Sequence, residues 1–136
     1  MEKRKILNNA IDFHGHLGPY LILGLLAGNY ALTALKAKKH FGVKVKVYGA
    51  TDKPKSCLID GLQLTTGATY GKGNIEKFKS RDIKISVFNK ESNKSINIKF
   101  RNNLLKQLAQ AKTHKDCEKL AIEIYGKKPG SLFEIK

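Results

Sequence analysis

The sequence predicts an α+β domain in which a mostly antiparallel, four-stranded mixed sheet packs on one long helix. Three observations lead to this prediction. Residues 17–35 are uncharged and largely apolar, which is typical of a buried helix. Several short segments with alternating apolar residues follow and indicate strands. Charged segments with helical spacing come last and predict extra C-terminal helices, and 1–136 is expected to form one domain.

The composition is that of a globular protein with a large excess of positive charge. Hydrophobic residues make up 41% and charged residues 27%, with a formal net charge of +15. Such an excess attracts nucleic acid, anionic membranes or anionic ligands. However, the cationic residues are mostly scattered lysines, with arginine only at Arg4, Arg81 and Arg101, whereas readout of bases favours arginine. We therefore expect a solvated lysine surface and rank a nucleic-acid-binding module last; an anionic substrate or cofactor suits the charge as well.

The two cysteines, Cys57 and Cys117, lie in different contexts and do not indicate a disulfide framework. No charged segment followed by a cleavable apolar stretch indicates a signal peptide. We therefore expect a cytoplasmic protein with two free thiols. Cys117 is interpreted as a small apolar side chain, whereas Cys57 is available as a ligand or nucleophile.

Periodicity divides the first half of the chain into helices and one strand. Apolar residues at helical intervals predict a first helix, and the long apolar stretch predicts a second that begins at Gly18-Pro19 and ends at Gly42. Alternating valines then predict a half-buried strand. The segments are a helix at 2–13, a helix at 17–42, a strand at 43–51, a loop at 52–56 and a helix at 57–66.

The long helix raises the question of a membrane span, because its first part carries no charge. Pro19, Asn29 and Thr33 lower its hydrophobicity, and the rest of the chain is ordinary globular sequence. A buried core helix and no membrane contact are therefore favoured. Gly24 and Gly28 would let another backbone approach closely, either a neighbouring element or a second copy of the chain.

The second half predicts three strands followed by two helices. Glycine-rich sequence separates the first of these strands from the preceding helix, and a polar hairpin joins the last two strands. The segments are strands at 75–79, 82–89 and 94–100, helices at 102–113 and 116–126, and a C-terminal tail at 127–136.

Two histidines separated by one glycine stand just before the long helix. In a helix His14 and His16 would diverge by about 200°, but in an extended or turning segment residues two apart face the same way. Gly18-Pro19 favours such non-helical backbone. The two imidazoles are thus able to converge on a metal ion; the alternative is a pair of surface or helix-capping histidines.

Cys57 is the predicted third metal ligand. It begins a predicted helix, where the helix dipole lowers the pKa of a thiol and favours the thiolate. Two histidines and a thiolate suit zinc or another divalent transition metal, and three protein ligands leave one position open to a small ligand. Asp60 lies on the same helix face and is a candidate for moving protons, and Cys57 itself is a candidate nucleophile. The alternative is that Cys57 is a buried apolar side chain.

The glycine-rich loop at 67–74 is a candidate lining of the same pocket. Thr69, Gly71 and Lys72 would offer donors to a substrate or cofactor, and Lys72 is also a catalytic candidate that would meet an anion. The loop lacks the spacing and the Ser/Thr of a phosphate-binding Walker A motif. The alternative is a tight connection from helix to strand.

Two of these segments together resemble the FmdE family, which is named after a component of formylmethanofuran dehydrogenase. They read DFHGHLGPYLILGLLAG and CLIDGLQLTTGATYGKGN, and the likeness covers about residues 8–80. The resemblance implies the α-β-α-β-β-β core, a zinc site that carries over to His14, His16 and Cys57, and a homodimer with the long helix near its interface. Leu17-Gly18-Pro19 stands where many members have a cysteine, and residues 1–136 hold no four-cysteine zinc ribbon, so neither feature carries over.

The resemblance leaves two main functions open. The first is a small metal-dependent enzyme or cofactor-handling protein of one-carbon metabolism, acting on a small anionic or carbonyl ligand. The second is a non-catalytic accessory protein that docks on a larger molybdenum or tungsten dehydrogenase, and thus belongs to an oxidoreductase complex. Both functions include the same metal site.

Overall fold

A computed structural model describes residues 3–136, which form six α-helices, one short 3-10 helix and one five-stranded sheet. The helices are α1 (Lys3–His14), α2 (Pro19–Leu35), α3 (Cys57–Thr66), α4 (Asn102–Gln110), α5 (His114–Tyr125) and α6 (Pro129–Leu132), with the 3-10 helix at His40–Gly42. The strands are β1 (Val43–Tyr48), β2 (Ile75–Phe78), β3 (Lys84–Asn89), β4 (Lys94–Phe100) and β5 (Phe133–Ile135).

The sheet has the strand order β2-β1-β3-β4-β5 and is mostly antiparallel. Only β1 and β2 are parallel, because α3 carries the chain back across the sheet between them. Val43, Val45 and Val47 alternate along β1 with no exposed surface, so one face of the sheet forms the core. The predicted α+β class with a mixed, mostly antiparallel sheet packed on a long helix is confirmed.

The prediction of four strands is wrong, because the predicted tail contains α6 and a fifth strand. β5 pairs antiparallel with β4, placing Phe133 opposite Phe100 and Ile135 opposite Ile98. Phe133 and Leu132 are almost fully buried. A strand of three residues leaves too short an alternation to detect, and it is stabilised by pairing with a distant segment.

The long helix α2 ends at Leu35, earlier than the predicted end at Gly42. Lys36 adopts a left-handed conformation with φ of 50°, and its N–H bonds to the carbonyls of Leu32 and Thr33, which closes the last turn. A lysine in this role gives no sequence signal comparable to glycine. Within residues 3–136 no helix is long and apolar enough to cross a membrane.

The close approach predicted at Gly24 and Gly28 takes place within the chain, against α3. A Cβ atom on Gly24 would overlap the carbonyl oxygen of Leu58 and lie 3.1 Å from the Cα of Gly61. Gly61 in turn faces the backbone of α2, so glycines on both helices permit the contact. Of the two alternatives left open by the sequence, the structure shows the neighbouring element.

The boundary between α4 and α5 also differs from the predicted one. The predicted start of α1 at residue 2 lies outside the described residues. α4 ends at Gln110 and α5 begins at His114 because the Thr113 side chain accepts a hydrogen bond from the Asp116 N–H at 3.0 Å and caps α5. These two boundaries matter for function, because the α4–α5 connection borders the predicted metal site.

Candidate metal centre

His14, His16 and Cys57 line one cavity of about 310 Å³. The cavity lies between the end of α1, the start of α2, the start of α3 and the α4–α5 connection. The three predicted metal ligands therefore border the same cavity, although Cys57 is 41 residues beyond His16 in the sequence. The remaining walls include side chains that the sequence analysis did not select, namely Tyr20, Pro54, Leu108, His114 and Cys117.

The two histidines converge because the chain leaves α1 between them. His14 is the last residue of α1, and Gly15 adopts a φ of +102°, which an L side chain rarely adopts. The centroids of the two imidazole rings lie 4.7 Å apart. His16 Nε2 lies 3.5 Å from the position of a Cβ on Gly18, so the glycine leaves room for this ring. The expected non-helical segment begins at Gly15, and His14 itself still belongs to α1.

His14 is held in one orientation by Asp60. Its Nδ1 lies 2.6 Å from Asp60 Oδ2, and its side chain is only 9% exposed. Because an ionised carboxylate only accepts hydrogen bonds, Nδ1 carries the proton in the neutral ring and Nε2 presents a lone pair. Within the described residues, that Nε2 atom is buried and has no hydrogen-bond partner. A carboxylate that fixes one ring nitrogen while the other stays available is the usual arrangement behind a metal-bound histidine.

Asp60, the candidate for moving protons, contacts one of the two histidines directly. It lies in the first turn of α3 and its carboxylate contacts the imidazole of His14. This contact makes it a positioning residue for His14, and the sequence spacing alone did not reveal this, because the partner is 46 positions away.

Cys57 does not have the lowered pKa that was expected from its place at the start of α3. Partial burial raises the pKa of the Cys57 thiol, and the nearby Asp60 carboxylate raises it further, while Lys53 opposes them with a smaller effect. Desolvation and the negative charge of Asp60 thus disfavour the thiolate more than Lys53 favours it. In the absence of a metal the thiol stays protonated, and a metal ligand at this position would have to lose its proton on binding.

The glycine-rich loop does not reach this cavity. Thr69, Gly71 and Lys72 follow the C-terminal end of α3, while Cys57 is at its N-terminal end, about 14 Å away by the rise of a helix of this length. Lys72 Nζ lies 3.4 Å from Thr69 Oγ1 and 5.8 Å from the centroid of the Phe41 ring. The loop forms the tight helix-to-strand connection that was the alternative interpretation, and Thr69, Gly71 and Lys72 do not line the cavity of His14, His16 and Cys57.

The loop is fixed instead by Asn74, a residue that the sequence analysis did not select. The Asn74 side chain is almost fully buried, and its Nδ2 donates to the carbonyls of His40 at 2.7 Å and Val43 at 3.1 Å. Its Oδ1 accepts from the N–H of Thr69 at 2.9 Å. The side chain thus satisfies three backbone groups from two separate segments.

Replacing Asn74 with alanine is expected to lower the free energy of unfolding by about 3 kcal/mol, because buried backbone groups lose their partners. Urea denaturation followed by circular dichroism measures this change. Asn103→Ala, at an exposed position of α4, is the matched control and should shift the midpoint only slightly. Equal midpoints for the two variants would contradict the role given to Asn74.

His114 was missed although it lies beside the two predicted histidines. Its ring stacks near His16 with 6.1 Å between centroids, and its Nε2 lies 2.8 Å from Glu118 Oε1. The only available signal was the start of α5 after Thr113, which does not indicate a contact with a segment almost a hundred residues earlier. Among residues 3–136, however, no three His, Cys, Asp or Glu side chains stand close enough together to hold a metal ion as they are placed.

Comparison with known proteins adds a family and a fold. The family model described as FmdE, molybdenum formylmethanofuran dehydrogenase operon, matches residues 13–131. The crystal structure of a tungsten formylmethanofuran dehydrogenase FmdE-like protein from Syntrophus aciditrophicus is similar, with a TM-score of 0.72 and 15% sequence identity. The similarity covers 100% of this chain and 71% of that chain, and at this identity it shows the fold alone. No curated protein matches the chain by sequence.

Proposed function

Because the chain belongs to the FmdE family, we propose that it is a metal-binding protein related to the FmdE component of formylmethanofuran dehydrogenase, in which His14, His16 and Cys57 hold zinc or another divalent transition metal. The observation that carries this proposal is the buried Nε2 of His14, which has no partner among the described residues while Asp60 fixes the opposite ring nitrogen. A buried acceptor without a donor is costly, and a metal ion in the cavity would satisfy it.

The chemistry of the donors supports the same assignment. Two imidazole nitrogens and one thiolate are borderline and soft ligands, a set that suits zinc better than magnesium or calcium. Three protein ligands would leave one position for a small carbonyl or anionic ligand, which the cavity of about 310 Å³ has room to admit. When bound, such a metal supplies a Lewis acid that polarises an oxygen of that ligand. Asp60 would keep the His14 ring in the required tautomer.

Cobalt substitution tests the proposed donor set, because a thiolate bound to Co²⁺ gives an intense charge-transfer absorption that imidazole and carboxylate ligands do not give. We expect the protein reconstituted with Co²⁺ to show this absorption and Cys57→Ser to lose it. Cys117→Ser is the matched control, since Cys117 borders the same cavity and its Sγ lies 3.5 Å from the Ala111 carbonyl oxygen. An absorption that survives in Cys57→Ser, or that disappears in Cys117→Ser, would contradict the ligand set.

An accessory role is the second candidate, and the family description favours it because it refers to a formylmethanofuran dehydrogenase operon. In this role the protein would hold its metal while docked on a larger molybdenum or tungsten enzyme. Stable association of the purified chain with such a dehydrogenase in size-exclusion chromatography would support docking, and separate elution of the two would oppose it. The proposal also includes a cytoplasmic location, in line with two unpaired cysteines.

A homodimer is part of the same proposal, although α2 is not suited to form its interface. Most of α2 is buried inside the chain against α1, α3, α5 and the sheet. Exposed apolar side chains elsewhere, Phe13, Phe41 and Ile122, offer surfaces for a second copy.

A further inference from the structure

We propose that a second cavity, next to the candidate metal centre, is a binding site for a small molecule that carries two or more phosphate or carboxylate groups. Its volume is about 530 Å³, compared with about 310 Å³ for the cavity of His14, His16 and Cys57. The site goes beyond the proposed metal function and does not depend on it. It rests on the position, the charges and the floor of the cavity.

The cavity lies at one corner of the sheet, where rigid elements form its walls. Ile83 precedes β3, Phe100 ends β4 and Glu134 belongs to β5, and these strands are neighbours in the sheet. Leu105 of α4 also lines the cavity. Ile83 and Phe100 are less than a tenth exposed. A concave site with a fixed apolar floor suits a small molecule better than an extended polymer.

The charges around this cavity are mainly positive and mostly uncompensated. Lys55, Arg81, Lys99 and Lys136 line it, against the carboxylates of Asp82 and Glu134. Both carboxylates already have cationic neighbours: Asp82 lies 3.9 Å from Arg81, and Glu134 lies 3.5 Å from Arg101 outside the cavity.

Three of the lining cations are free to meet a ligand. Among residues 3–136 no ion pair of Lys55, Lys99 or Lys136 lies within 4.0 Å. Three ammonium groups around one concavity are complementary to more than one anionic group, since each gives charge-assisted hydrogen bonds. The wider surface is also basic, so the site must be distinguished from general attraction by the net charge of +15.

Tyr20 connects this cavity with the candidate metal centre. Its side chain lies in the first turn of α2, is half-buried, and lines both cavities. Pro54 and Lys55 are adjacent in the chain. Lys55 lines the cavity of the proposed anion site, which we call the basic cavity, whereas Pro54 lines the cavity of the histidines. An anion bound at the proposed site therefore lies beside the place where a metal ligand would bind.

Isothermal titration calorimetry of the protein as purified, with tripolyphosphate and citrate as probes at fixed ionic strength, tests the proposal. We expect the Lys55→Gln/Lys99→Gln variant to bind at least one probe about ten-fold or more weakly than the wild type, because it loses two charge-assisted contacts. Tripolyphosphate and citrate distinguish a phosphate ligand from a carboxylate ligand. Lys77→Gln/Lys90→Gln is the control, since it removes the same charge from exposed positions outside the cavity.

The outcomes separate the cavity from the total charge. Weaker binding of a probe in the Lys55→Gln/Lys99→Gln variant, with unchanged binding in the control, supports the site. Equal weakening by both pairs, or no binding of either probe to the wild type, overturns it. The metal content of each sample is measured in parallel. A protein that binds the probes as expected but holds no metal contradicts the proposed function alone. A protein that holds metal but binds neither probe contradicts the anion site alone.

Discussion

Gly24→Ala is expected to lower the free energy of unfolding by about 3 kcal/mol or more, or to prevent folding altogether. The added Cβ would overlap the carbonyl oxygen of Leu58 and lie 2.9 Å from its carbonyl carbon. These are backbone atoms of α3 and have no rotamer by which to move away. The two helices would have to separate, which would open a contact buried at the centre of the molecule, where Leu21, Leu25, Leu58 and Leu62 have almost no exposed surface.

The measurement is urea unfolding followed by far-ultraviolet circular dichroism. Gly130→Ala is the matched control, because no atom lies within 4 Å of a Cβ at that position, and its effect should stay within about 1 kcal/mol. Since α3 carries Cys57 and Asp60, the same variant should also weaken metal binding. A Gly24→Ala protein as stable as the wild type would show that α2 and α3 do not pack as described.

Asp60→Asn is expected to lower metal affinity about ten- to a hundred-fold, and His14→Ala to lower it further while His16 and Cys57 keep weak, measurable binding. The asparagine would keep the shape of the side chain but lose the negative charge that fixes the His14 Nδ1 proton and that stabilises a bound cation. Competition with a chelator of known affinity gives the dissociation constant for each variant. Asp12→Asn, at an exposed position of α1, is the control for the change in net charge and should bind as the wild type does.

The two variants distinguish positioning from direct ligation. If Asp60 acts through His14, the Asp60→Asn effect should be small once His14 has already been replaced, because the two residues share one contact. Full additivity of the two effects would indicate that Asp60 contacts the metal itself. Unchanged affinity in Asp60→Asn would contradict the role given to it.

The fold was predictable where the pattern is local. The alternating valines of β1 and the apolar stretch of α2 each specify their own element through burial of one face or of all faces. The end of α2 at Lys36 and the strand β5 were not predictable in this way. A left-handed lysine and a three-residue strand are fixed by contacts with distant parts of the chain.

At the candidate site, too, some residues could be predicted from the sequence and others could not. The motif around His14 and His16 and the residue type of Cys57 identified three side chains that do line one cavity. The expected role of Asp60 rested on its spacing from Cys57, and that of Thr69, Gly71 and Lys72 rested on the glycines and donors of the loop. The length of α3 separates the loop from the cavity, and the imidazole that contacts Asp60 lies 46 residues away in the sequence, so neither arrangement was visible in the local pattern.

Side chains contributed by the C-terminal helices had no sequence signal of their own. His114 and Cys117 reach the cavity only because α5 packs against α2. The basic cavity also had no sequence signal, since Lys55 and Lys99 come from a loop and a strand that are distant in the sequence. In a chain with lysines throughout, only their common position beside Tyr20 distinguishes them.

The metal content of the protein tests the central claim most directly. The chain is purified without a histidine tag, and bound elements are quantified by mass spectrometry in the wild type, His16→Ala and Cys57→Ser. We expect about one zinc or other transition metal ion per wild-type chain and almost none in either variant. A wild-type protein that holds no metal even after reconstitution, or variants that keep it fully, would contradict a site built from the two segments.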